Sequence, residues 1–210
     1  MVKIKFGTDG WRAVIAQDFT FENLGYVVDA IAMHLKSSGR WQKGIFIGYD
    51  NRFLSDNFAS FCAKTLIKNG IKAFLSDVPV PTPVTAFMRK QLDLDGAIMI
   101  TASHNPAKYN GIKFIPYYSG PADESITREI EKNLESILNN TSKNNPDGMD
   151  VGAALNPVVV SDFTRYKEKL LKLVDTGLIK EMKPKIIADT MFGAGSRIFR
   201  EIINEDLGLN

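Results

Sequence analysis

The sequence predicts an α/β protein in three layers: a mixed, mostly parallel sheet with helices on both faces. Two observations point there. Residues 44–49 (GIFIGY) and 96–100 (GAIMI) are short, nearly all-apolar runs, as expected of strands buried on both sides. Between such runs lie segments whose apolar residues recur every three or four positions, the period of a helix with one buried face. Strands separated by amphipathic helices pair in parallel, with the helices packed on either side.

The elements follow in order. Residues 2–6 alternate apolar and basic types, as a half-buried strand does, and lead through Gly-Thr-Asp-Gly to Trp11 and Arg12. Phe21, Leu24, Val28, Ile31 and Leu35 mark a helix with Thr20 as its N-cap and Ser37, Ser38 and Gly39 as its stop. A strand over 44–49 precedes a second helix that starts at Ser55, carries Phe58, Cys62 and Leu66, and ends at Asn69 and Gly70. Residues 72–75 form the next strand. Pro79, Pro81 and Pro83 make an extended connector, 84–90 a short helix, and 96–100 a buried strand. Past the loop at 101–110, a strand is expected over 111–116 and a helix over 125–138, with Ile126, Ile130, Leu134 and Ile137 on one face.

Residues 139–157 are rich in Asn, Gly, Asp and Ser, the composition of a connector. The expected division is therefore a first domain over 1–140, a linker over 141–157 and an incomplete second domain over 158–210. The second holds a helix over 161–174, a strand over 185–188, and a Gly193-Ala194-Gly195 turn opening a last helix. An uncovered apolar face there would invite self-association.

Composition excludes several classes. The 26 Lys and Arg against 24 Asp and Glu leave a charge of +2, no footprint for nucleic acid. Cys62 is the only cysteine, which excludes an intrachain disulfide; with only His34 and His104 as imidazoles, any metal sits among oxygen ligands. No apolar run approaches the roughly 18 residues of a membrane span. A cytoplasmic protein without nucleic-acid or membrane partners is expected.

The chemistry concentrates in Thr101-Ala102-Ser103-His104-Asn105-Pro106, directly after the buried strand at 96–100. Ligands of open parallel sheets bind beyond the carboxyl ends of the strands, which places Ser103 where function gathers. Asn110-Gly111 turns the chain back, and the strand that follows is able to return Lys113 toward Ser103. A serine nucleophile needs a base and a cation, and Lys113 has the chemistry of both. A bland turn explains the same loop equally well on local chemistry alone.

Two motifs resemble the α-D-phosphohexomutases, the family of phosphomannomutases and phosphoglucomutases. Residues 6–12 (FGTDGWR) are similar to its N-terminal active-site loop, and 101–113 (TASHNPAKYNGIK) to its phosphoserine loop, in residue type and spacing. Gly48-Tyr49-Asp50-Asn51-Arg52, Pro81-Thr82-Pro83 and Asp189-Thr190 agree more weakly. The resemblance implies a reversible shift of phosphate between O1 and O6 of a hexose through a bisphosphorylated sugar. It implies Ser103 as the phosphorylated serine and, through its phosphate, a ligand of Mg2+. It also implies Lys113 as general acid or base, Arg12 as the partner of the phosphoserine, and His104 as a lining residue that assists substrate or proton handling. Arg12, His104 and Lys113 would bind the substrate, a hexose phosphate or hexose 1,6-bisphosphate.

Members of that family run to about twice this length, with an Asp-rich metal loop, a sugar-reading loop and a phosphate clamp further along. None of these occurs in the 210 residues, so an N-terminal piece, inactive alone, is expected. The resemblance implies, from Trp11 and Tyr109, a preference for glucose or mannose phosphates over glucosamine phosphate, since phosphoglucosamine mutases tend to carry other residues there; the two rings either stack on a sugar or pack under the loop. Several residues are set aside: Thr8 and Asp9 as a local turn, Asp50 and Arg52 as an ion pair at a strand end, and His34 as a partly exposed surface residue. The Gly193 turn lacks a dinucleotide fingerprint. A serine hydrolase is disfavoured because no Gly-x-Ser-x-Gly elbow is present. A phosphosugar-binding or regulatory module without turnover and a phosphoglucosamine mutase remain the alternatives.

Overall fold

A computed structural model describes residues 4–7, 10–141 and 156–209. The expected α/β architecture is present. Among the described residues six strands form one sheet: β1 (Gly10–Val14), β2 (Ile45–Tyr49), β3 (Ala73–Ser76), β4 (Gly96–Ile100), β5 (Tyr109–Pro116) and β6 (Val158–Val160), in the order β1-β5-β4-β2-β3-β6. β2 pairs in parallel with β3 and β4, and β3 with β6; β5 is antiparallel to both β4 and β1.

The alternation of side chains along the strands creates two cores. Ile45, Ile47, Ile98, Ile100, Ile112 and Phe114 face one way, toward α1 (Phe21–Ser37), α2 (Ser55–Lys68) and α4 (Glu124–Thr141). Phe46, Ala97, Met99 and Ile115 face the other, toward α3 (Thr82–Gln91) and Phe163, just ahead of α5 (Thr164–Leu171). Each fully buried Ile or Phe contributes about 1.5–3 kcal/mol. Helix α1 starts as its sequence dictates, with Thr20 Oγ1 accepting from Asn23 N at 3.2 Å.

Four expectations are corrected. Residues 4–6 are not a strand; the ladder begins at Gly10, and the Phe6 N–H donates instead to Glu131 Oε1 of α4 at 2.9 Å. His34 is buried, 7% exposed, with Nδ1 2.8 Å from Glu129 Oε2, because α4 packs along α1. Burial raises the Glu129 carboxyl, but hydrogen bonds from Ser37 and His34 outweigh it and hold the group below its usual range. Residues 185–188 have the β-branched composition of a strand but pair with no strand among the described residues, and Ile187 lies wholly in solvent. The helix expected over 161–174 is shorter, and α6 (Thr176–Met182) follows it, N-capped by Asp175 on Leu178 N at 2.9 Å.

Val158–Val160, the three residues directly after the expected end of the linker, extend the sheet beside β3. Residues 142–155 of that linker, and the Thr8-Asp9 turn, lie outside the described residues. Helix α7 (Ser196–Arg200) follows the Gly193 turn as expected and continues into a π-helical turn over Glu201–Asp206. Among the described residues no helix is long and apolar enough to cross a membrane.

Burial is uneven along the chain: β4 is buried at every position, whereas α5 and α6 bury no residue. Amide exchange should therefore be slowest at Gly96–Ile100 and much faster over 164–192, read by native-state exchange on a sample that sedimentation shows to be monomeric. Equal protection of the two segments would contradict this assignment of stability.

Candidate active site

The segment 101–113 joins β4 to β5 across the carboxyl end of the parallel strands. Thr101 N donates to Gly111 O at 2.9 Å, which closes the neck of the loop. Ser103 stands exposed at its tip with φ +55°, a left-handed backbone that costs a residue with a side chain about 1–2 kcal/mol. Its own N–H donates to Thr101 Oγ1 at 3.0 Å, and its hydroxyl lies 3.5 Å from His104 Nδ1, at the outer limit of a hydrogen bond.

Arg12 reaches this loop from β1, with Nη1 donating to Asn105 Oδ1 at 3.2 Å. The antiparallel register sets Arg12 opposite Gly111 and Lys113 opposite Gly10, so both cations stand on the same face of adjoining strands. Each faces a glycine, and the glycines are required. A Cβ on Gly111 would lie 2.9 Å from Arg12 Cγ and 2.6 Å from Thr101 O; one on Gly10 would run into the backbone at Ile112. Lys113 is also the partner of Met99 on β4, directly below the neck of the loop. Arg12, Ser103 and His104 thus meet at the loop, and Lys113 stands beside them on β5.

The sequence reading passed over Arg52. It does form the expected ion pair, Nε to Asp50 Oδ2 at 3.3 Å, but its larger contacts are with the loop. Nη1 donates to the carbonyls of Pro106 and Tyr109, both at 2.9 Å; Nη2 donates to those of Ser103 at 2.8 Å and Asn105 at 2.6 Å. Asp50 Oδ1 accepts from Arg52 N at 3.0 Å and from Ser55 Oγ at 2.8 Å, and Ser55 Oγ accepts from Asn110 Nδ2 at 2.9 Å. The sequence signals were the weaker family agreement over Gly48 to Arg52 and the placement of Asp50 and Arg52 at a strand's carboxyl end, level with the loop.

Trp11 is 4% exposed and packs on Phe19 with ring centroids 5.0 Å apart, so it belongs to the core and stacks on no sugar. Tyr109 is half-buried. A cavity of about 530 Å³ between residues 186–190 and α7 is lined by none of Arg12, Ser103, His104 or Lys113. Among the described residues no group of three or more His, Cys, Asp or Glu could hold a metal ion, so the protein groups present do not by themselves fit Mg2+.

Comparison with known proteins gives a consistent answer. The sequence profile for phosphoglucomutase/phosphomannomutase, alpha/beta/alpha domain I, matches residues 3–141. The chain is 30% identical over 204 residues to a phosphoglucosamine mutase of Thermoanaerobacter pseudethanolicus, covering 97% of this chain and 43% of that protein. It is 38% identical over 145 residues to a probable phosphoribomutase of Schizosaccharomyces pombe, covering 64% of this chain and 24% of that one. A crystal structure of a putative phosphomannomutase from Thermus thermophilus superposes with a TM-score of 0.72 at 31% identity, over 85% of this chain and 38% of that one. The chain therefore spans less than half the length of these relatives.

The strained backbone at Ser103 makes a stability prediction. Ser103→Gly should be about 1 kcal/mol more stable than Ser103→Ala, since glycine adopts a positive φ without penalty. Urea denaturation of the two variants measures it; equal midpoints and slopes would show that the loop relaxes.

Proposed function

The chain belongs to the phosphoglucomutase/phosphomannomutase family, and we propose that it carries the phosphoserine end of a hexose phosphate mutase. Such an isomerase moves a phosphoryl group between O1 and O6 of a hexose through a hexose 1,6-bisphosphate. The observation that supports this best is an exposed serine on a tethered loop beyond a buried strand, with Arg12 and Lys113 on one face of the adjoining strands. On this reading residues up to 160 form the phosphoserine domain and those after it begin a second unit.

The residues suit the steps. Between turnovers the phosphoryl group rests on Ser103 Oγ. The sugar O6 of a hexose 1-phosphate attacks phosphorus, the P–Oγ bond breaks as the P–O6 bond forms, and the proton lost by O6 returns to Oγ with Lys113 as its carrier. After the bisphosphate turns over, its O1 phosphoryl group passes to Oγ by the same steps in reverse, leaving hexose 6-phosphate. Arg12 presents a fork to the phosphoryl oxygens, and His104 polarises the serine oxygen it adjoins. Transfer of this kind depends on positioning and charge neutralisation, which is what these groups supply. Mg2+ is the cofactor the family resemblance implies, with an oxygen of the Ser103 phosphate as this chain's contribution.

The likeness to the Thermus phosphomannomutase supports glucose or mannose phosphates as substrates. The likeness to the Thermoanaerobacter phosphoglucosamine mutase supports glucosamine phosphate as a second reading.

Incubated with glucose 1,6-bisphosphate, an enzyme that carries this chain together with the metal, sugar and phosphate loops should retain one phosphoryl group, mapped to Ser103 by peptide mass spectrometry and missing from Ser103→Ala. Phosphate at another residue, or reversible binding without a covalent product, would overturn the assignment. The phosphorylated enzyme should then discharge fastest to glucose 1-phosphate or mannose 1-phosphate. Faster discharge to glucosamine 1-phosphate would establish the second reading.

A further inference from the structure

A guanidinium carries five N–H donors in a fixed plane, and Arg52 commits four of them to backbone carbonyls of one loop and faces the fifth toward Asp50. Its side chain is 15% exposed and that of Asp50 16%, so the pair lies under the loop rather than beside it. The four carbonyls belong to Ser103, Asn105, Pro106 and Tyr109, which span the loop from its tip to the first residue of β5. Through Asp50, Ser55 and Asn110 the same network continues to the end of β2, the start of α2 and the body of β5.

This arrangement sets the direction of the peptide units. No peptide bond among the described residues is cis, and in a trans unit the C=O and the following N–H point opposite ways. The carbonyls of Ser103 and Pro106 turn toward Arg52, so the N–H groups of His104 and Ala107 turn away from it. The loop thus keeps its electronegative ends inward and its electropositive ends on the far side, as the approach of an anion requires. The same tether holds the left-handed backbone of Ser103, which would otherwise relax.

We propose that Arg52 is a positioning residue for phosphoryl transfer at Ser103, acting on the loop backbone and not on the phosphate. This rests on the reading of Ser103 as the phosphoacceptor. Arg12 and Arg52 then divide the work: Arg12 meets the phosphoryl group, and Arg52 fixes where the serine presents it. Lysine cannot replace Arg52, because a single ammonium on a flexible stem cannot reach four carbonyls spread across a plane.

The test compares that same enzyme with its Arg52→Lys and Arg52→Ala variants. In Arg52→Lys, transfer from glucose 1,6-bisphosphate to Ser103 should slow about 10²-fold, the scale of a small misplacement of reacting groups, while the half-saturating concentration changes less than about threefold. Melting should stay cooperative, and amide exchange should quicken over 102–110 with β4 unchanged. Methylguanidinium should restore part of the rate and of the loop protection in Arg52→Ala, and methylammonium should not. A wild-type rate in Arg52→Lys, or unchanged loop exchange, overturns the proposal. Loss of protection in β4 equal to that in the loop also overturns it, since Arg52 would then serve the fold alone. Should the wild-type enzyme take no phosphate on Ser103, the phosphoserine reading fails separately. The exchange measurements still decide for Arg52: faster loop exchange sustains a positioning role and unchanged exchange ends it.

Discussion

The connection between β4 and β5 has to leave a buried parallel strand, expose one serine and return beside the same strand in the opposite direction. A reversal of that length turns several carbonyls inward, where each unmatched one costs about 1–3 kcal/mol. Arg52 meets four of them with one side chain, and Asp50 balances its charge. The position of Ser103, its positive φ and the neighbouring contact of His104 all depend on that match between a planar donor and a ring of acceptors.

The second constraint is the direction of β5. Because it runs antiparallel to both neighbours, β1 can join the sheet beyond it and bring residues near the start of the chain level with residues a hundred positions later. Register then does what sequence proximity cannot, setting Arg12 and Lys113 on one face with a glycine across the ladder from each. Helix α3 packs over β2 and β4 on that side, and the two cations rise from the strands next to it. The site is thus assembled from β1 and β5, held by backbone pairing, and from the segment after β2 and the 101–110 loop, held by the side chains of Asp50 and Arg52.

Much of this was legible in the sequence, for identifiable reasons. Helices α1 and α2 announced themselves by periodicity and end signals, and β4 by an apolar run that only a doubly covered strand tolerates. The 101–113 loop was legible as a motif. What escaped depended on partners distant in sequence. Alternation over 2–6 suggested a strand, but the ladder with β5 starts only at Gly10, and Phe6 is held by Glu131. Ile186 and Ile187 have strand propensity and no adjacent strand among the described residues. His34 is drawn into the core by α4, ninety-five residues away. Arg52 is the instructive case: an ion pair two residues long was visible, while its four acceptors lie more than fifty positions on.

One measurement bears most directly on this account, nitrogen-15 NMR of the arginine side chains in the intact chain. A guanidinium whose four Nη protons are all held by carbonyls rotates slowly about its C–N bonds and exchanges slowly with water. Arg52 should therefore show four separate Nη proton resonances, protected from solvent at neutral pH. A single averaged Nη signal in fast exchange with water would mean that the loop is not held by Arg52 and would contradict the account.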